Sequence, residues 1–117
     1  MTKTITPTRT VTVYAIHDVD ADKLASVSAE MRSLGAPTIR VVDCGDYYQA
    51  LEGSHRLAAA QALGLMPTLV VYGQDEPIEI AGYDWYEADN WAAQVYEAGE
   101  VAGELQSMGA VPYRFEG

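Results

Sequence analysis

Short runs of β-branched residues alternate with helical periodicity between residues 11 and 72, and this alternation confines the chain to a mixed α and β domain. Val11-Thr12-Val13-Tyr14-Ala15-Ile16 reads as a first strand. Asp20 or Asp22 can cap the helix that follows, which runs to about Leu34. Leu24, Val27, Met31 and Leu34 recur at helical spacing and are predicted to face the core. Gly35 stands where a left-handed cap is wanted, with Pro37 just beyond. Thr38–Val42 is a second strand, Asp43-Cys44-Gly45-Asp46 a hairpin turn, and Tyr47–Leu51 the returning strand. Gly53 and Ser54 open an Ala-rich helix that Gly64 closes after Leu63, and Pro67 precedes a fourth strand, Thr68–Tyr72.

The remainder is less regular. Ile78-Glu79-Ile80 is a candidate fifth strand. Trp91, Val95, Ala98, Ala102 and Leu105 repeat in steps of four and three, which predicts a final helical region from Tyr86 to Met108. Gly99 and Gly103 lie inside it at roughly 1 kcal/mol each against Ala, so this helix is expected to be broken or locally close-packed. Residues 1–9 are polar and expected to fray. The 117 residues fit a single α+β domain, with a small mixed sheet of four or five strands and about three helices. Its core is residues 11–72 and its C-terminal helical extension is 86–108.

Charge narrows the function. Seven Lys and Arg stand against seventeen Asp and Glu, a formal net charge of −10. Between Arg56 and Arg114 there is no cation or His, yet nine carboxylates occur, from Asp75 to Glu104. Duplex DNA is bound by clustered Lys and Arg that neutralise phosphates, so nucleic-acid binding is the least expected function. The acidic, aromatic stretch 75–105 is instead a candidate face for a basic protein partner, the alternative to ligand binding being a non-catalytic interaction domain. Cys44 is the sole cysteine, which rules out an internal disulfide and a multi-Cys zinc site. No apolar run is long enough to span a bilayer, and the first residues lack a signal-peptide core, so a cytoplasmic location is expected.

The strongest chemical signal is a strand, then Glu52-Gly53-Ser54-His55-Arg56, then a helix. The first backbone amides of a helix have no intrahelical acceptor and carry about half a positive charge, which suits an anion. Gly53 permits close approach, Ser54 supplies a hydroxyl or a cap, and His55 donates according to its protonation. Arg56 presents a planar fork that matches phosphate oxygens. The same residues also make an ordinary helix start, with Arg56 paired to Glu52 and His55 bonded to a carbonyl. Lys23, Ser26 and Glu30 share a stripe of the first helix, bordering its apolar face. Glu30 would repel phosphates unless Mg²⁺ bridged them or it acted as a base.

The stretch from Gly45 to Ala60, Gly-Asp-Tyr-Tyr-Gln-Ala-Leu-Glu-Gly-Ser-His-Arg-Leu-Ala-Ala-Ala, resembles the signature hairpin and helix of the ParB/sulfiredoxin superfamily. In pattern it is similar to sulfiredoxin, where Gly-Asp-Tyr leads into Gly-Gly-Cys-His-Arg. The resemblance covers roughly residues 11–72 and implies a ParB-like domain that binds ATP or another nucleotide, with Mg. It assigns phosphate contacts to His55 and Arg56, and places Lys23 and Ser26 near the nucleotide. Ser54 replaces the sulfiredoxin Cys, and a hydroxyl needs a strong base where a thiolate does not, so sulfinic-acid reduction is not expected. Cys44 cannot substitute, since extended chain from the hairpin tip carries the motif roughly 20 Å away. The ParB-like free serine kinases place an acidic residue before their Gly-His-His-Arg, a position that Glu52 matches. This leaves phosphotransfer or nucleotide hydrolysis, with Glu52 and Glu30 as candidate catalytic groups, open beside binding alone. The helix-turn-helix and Gly-Glu-Arg-Arg pattern of the partition proteins are absent from this sequence.

Overall fold

The structure, a computed structural model, describes residues 2–117. In chain order the elements are β1 (Lys3–Ile5), β2 (Val11–Ala15), α1 (Ala21–Leu34), β3 (Thr38–Asp43), β4 (Tyr48–Ala50) and α2 (Ser54–Leu63). There follow β5 (Thr68–Tyr72), β6 (Pro77–Glu79), β7 (Val95–Glu97), α3 (Ala98–Ser107) and β8 (Val111–Phe115). Six strands form a mixed sheet in the order β1-β5-β3-β4-β2-β8, and β6 pairs with β7 in a separate ribbon. The domain is α+β with three helices, as expected, and the main sheet is larger than the four or five strands read from the sequence. No helix among the described residues is long and apolar enough to cross a membrane.

Period-two alternation explains why the sheet is covered on both faces. Val13, Ala15, Ile39, Val41, Ala50, Leu69 and Val71 join Met31 of α1 and Leu57 of α2 in one apolar cluster. Their neighbours Ile16, Val42 and Leu51 join Ile78, Val101 and Leu105 in a second, under α3 and the ribbon. β2 and β4 run parallel, and the chain leaves the carboxyl end of each directly into a helix. The N-termini of α1 and α2 therefore meet at one end of the sheet.

Several expectations are corrected. Residues 3–5 do not fray: Lys3 to Ile5 pair antiparallel with Leu69 to Val71. β8, at the opposite edge, pairs with β2 and carries Pro112, which an edge strand tolerates because its missing N–H faces no neighbour. Leu34 is 82% exposed rather than in the core, while Leu24 and Val27 are half-buried. Gly35 has the positive φ of 86° expected of it, but an extended ψ of −167° instead of a left-handed one.

The region 86–108 is helical only from Ala98 to Ser107. Trp91 packs between Trp85 and Tyr96 at 5.4 and 5.3 Å between ring centroids, and the Ile80 amide donates to the Gln94 carbonyl. Those contacts outweigh the helical periodicity and leave Val95 exposed on the ribbon. α3 starts where the Ala98 and Gly99 amides find the carbonyls of Glu76 and Gln74, both at 2.8 Å. Gly99 is close-packed there, since a Cβ would collide with Gln74, whereas Gly103 faces open space.

Candidate functional site

Ser54, His55 and Arg56 occupy the first turn of α2, preceded by Gly53 in the left-handed conformation at φ 76°, ψ 35°. The first intrahelical bond runs from the Leu57 amide to the Gly53 carbonyl. The amides of Ser54, His55 and Arg56 precede it and have no acceptor among the described residues. In α1 the Asp20 carboxylate accepts from the Lys23 amide, and in α3 two loop carbonyls occupy the first donors. Of the three helices, α2 is the one whose first turn has neither a side-chain cap nor such carbonyls.

That turn opens into a cleft of about 450 Å³ at the carboxyl ends of β2 and β4, where parallel strands of α/β sheets present ligand crevices. Glu52, Gly53, Ser54, His55 and Arg56 all line it, and Lys23 joins them from α1. Ser26 and Glu30 do not: both are exposed on α1 outside the cleft, so the stripe they form with Lys23 is not a single wall. The cleft reaches only the N-terminal turns of α1, through Lys23 and Val27.

The side chains of the motif have partners of their own. Ser54 is buried, and its Oγ accepts the Ile16 amide at 3.0 Å. His55 Nε2 accepts the Asp20 amide at 3.0 Å. Arg56 Nη1 donates to the Thr38 carbonyl at 3.1 Å, and Nη2 lies 3.8 Å from Glu52 Oε1, a long and half-exposed pair. The other Glu52 oxygen accepts the Arg40 amide at 3.2 Å. Glu52 is thus engaged by the chain itself, which suits an orienting role better than that of a free base. Lys23 has no ion-pair partner among the described residues. Ser54→Ala should cost about 1–3 kcal/mol in chemical denaturation, because it strands the buried Ile16 amide.

The opposite wall comes from the aromatic stretch 82–86, which the sequence marks as a candidate lining for a pocket or an interface. Gly82, Tyr83, Asp84 and Trp85 close the cleft from the segment after the ribbon's first strand. Tyr83 and Trp85 stack at 5.3 Å with planes 8° apart, and the Trp85 indole donates to the Leu51 carbonyl at 2.7 Å. Burial foremost, then Tyr72, pushes the Tyr83 hydroxyl above its ordinary range, with Arg40 opposing. Arg40 itself is held more firmly protonated, by Tyr83 first and then Glu52 and Tyr72. The dense aromatics of residues 82–86 were the available signal, but only tertiary packing brings them opposite α2.

Cys44 is elsewhere, in a second and more open groove of about 650 Å³ between the β3–β4 turn and α3. Burial first of all pushes its thiol above the ordinary range. Comparison with known proteins gave no match to the chain among family models, curated proteins or solved structures.

Proposed function

We propose that this is a ParB/sulfiredoxin-type domain that binds a phosphorylated small molecule, most simply a nucleotide such as ATP, in the cleft between α1 and α2. The phosphate sits on the free first-turn amides of α2, flanked by Lys23 and Arg56, and the flat base lies against the Tyr83–Trp85 wall. One observation carries this reading: uncapped helix donors and an ammonium with no ion-pair partner among the described residues open into the same cavity. Amides and cations together select an anion, and stacked rings favour a planar group. The order strand, helix, hairpin, motif, helix, strand supports the fold assignment, being the order that the resemblance implies.

Binding is supported better than phosphotransfer. Glu30 lies outside the cleft and both Glu52 oxygens face donors. Mg²⁺ carried on phosphates needs only one or two carboxylates, and Glu52 and Asp84 are those that line the cleft. Thermal denaturation with millimolar ATP, ADP or CTP, with and without Mg²⁺, tests the reading. A ligand at a hundred times its dissociation constant adds about 2.7 kcal/mol of stability. Lys23→Ala, an exposed change that should leave the free protein's stability within about 0.5 kcal/mol, is expected to weaken binding roughly tenfold, and Arg56→Ala at least as much. A melting temperature indifferent to all three nucleotides rejects the proposal.

A further inference from the structure

The segment joining β2 to α1 is fastened to the first turn of α2 by two backbone amides. That of Ile16 donates to the Ser54 hydroxyl and that of Asp20 to His55 Nε2, each at 3.0 Å. A backbone amide can only donate, so Nε2 holds a lone pair and the neutral ring carries its proton on Nδ1. The two fastenings therefore differ: a hydroxyl accepts at any ordinary pH, while an imidazole nitrogen stops accepting once it is protonated.

We propose that His55 is a proton-operated latch, in which protonation of Nε2 breaks its bond to the Asp20 amide and frees the 17–20 segment and the start of α1 from the cleft. That segment and helix supply His17, Lys23 and Val27 to the cleft, so release dismantles one of its walls.

The groups around the ring set the direction. From the preceding segment, the His17 ring stands edge-on at 5.8 Å between centroids, its Nδ1 2.6 Å from the Asp18 carbonyl. From α1 come the Lys23 ammonium and the Asp20 carboxylate, the latter accepting from the Lys23 amide. From α2 comes Arg56, from the turn before it Glu52, and from the facing loop Asp84. Burial foremost, then Lys23 and His17, holds His55 below the ordinary histidine range, with Asp20 opposing. Two helix N-termini meeting here disfavour a cation as well. Because the folded value lies below the unfolded one, the neutral ring's contribution is present above the ordinary histidine value and is lost as pH falls through the lowered one.

The latch is independent of what the cleft binds, and its test uses no ligand. Nuclear magnetic resonance of the full chain, titrated from about pH 7.5 to about pH 5, reads the His55 ring and the Asp20 and Ile16 amides together. The Asp20 amide is expected to shift with the His55 midpoint and to lose several-fold in exchange protection, corrected for intrinsic rate, while Ile16 keeps its protection. In His55→Gln a side-chain oxygen can accept the amide without titrating, so Asp20 should stay protected throughout. An Asp20 amide indifferent to the His55 titration overturns the proposal, as does a His55→Gln variant that loses protection with the wild-type midpoint.

Discussion

Gly53→Ala is expected to destabilise the fold by about 2–4 kcal/mol, lowering the melting temperature by roughly 10 °C. Two costs combine at this position. Gly53 has φ 76°, where a side chain costs about 1–2 kcal/mol. A Cβ would also lie 2.7 Å from Ile39 Cδ1 and 3.1 Å from Arg56 Nη2, and Ile39 is fully buried in the sheet. Gly64 supplies the control, since it has nearly the same backbone, φ 70° and ψ 29°, with nothing within 4 Å of its Cβ position. Gly64→Ala should therefore show the conformational cost alone, about 1–2 kcal/mol. The excess at Gly53 measures how tightly the motif is packed against β3 and how far Arg56 must move. Equal losses at the two glycines would mean that the close approach at Gly53 does not matter, and that Arg56 is not held over it.

That pair of glycines also marks where the sequence was readable. Asp20, Gly53 and Gly64 with Pro67 are local punctuation: each acts on its own backbone, so α1, α2 and the strands between and after them could be placed without knowing the fold. β1 and β8 were not legible for the opposite reason. Lys3-Thr4-Ile5 gains its strand from Val71 and its neighbours, and Val111–Phe115 gains its own from β2 about a hundred residues earlier, despite a proline. Trp91 misled through its spacing, because its burial comes from Trp85 and Tyr96 and not from a helix face. The site divides along the same line. Glu52 to Arg56 are contiguous and Lys23 follows a cap, whereas Ile16, His17, Tyr83 and Trp85 reach the cleft only through chain crossings. Glu30 went astray because helical spacing gives a stripe but not how many turns of it a cavity spans.

Gln49 is a buried polar group that ties the sheet to α3. It is fully buried in β4, between β3 and β2, on the face covered by α3. Its Nε2 donates to the carbonyls of Tyr14 and Ala50 at 3.2 and 2.9 Å, and its Oε1 accepts from Gln106 Nε2 of α3 at 2.6 Å. One amide thus joins the parallel pair β2–β4 to the helix above it, with both of its donor hydrogens and its oxygen engaged. Gln49→Leu keeps the volume but strands these partners, and should cost about 2–3 kcal/mol in chemical denaturation. Gln106→Leu leaves Gln49 Oε1 buried without a donor and should cost about 1–3 kcal/mol. The double variant decides whether the inter-element bond is the source. The double variant leaves only the Tyr14 and Ala50 carbonyls without their donor, fewer orphans than the two single changes leave between them, so the pair should lose less than the two single losses combined, by about 1 kcal/mol or more. Strict additivity would show that α3 is held by its apolar stripe of Val101, Ala102 and Leu105 alone. The Gln49–Gln106 contact would then contribute geometry but no stability.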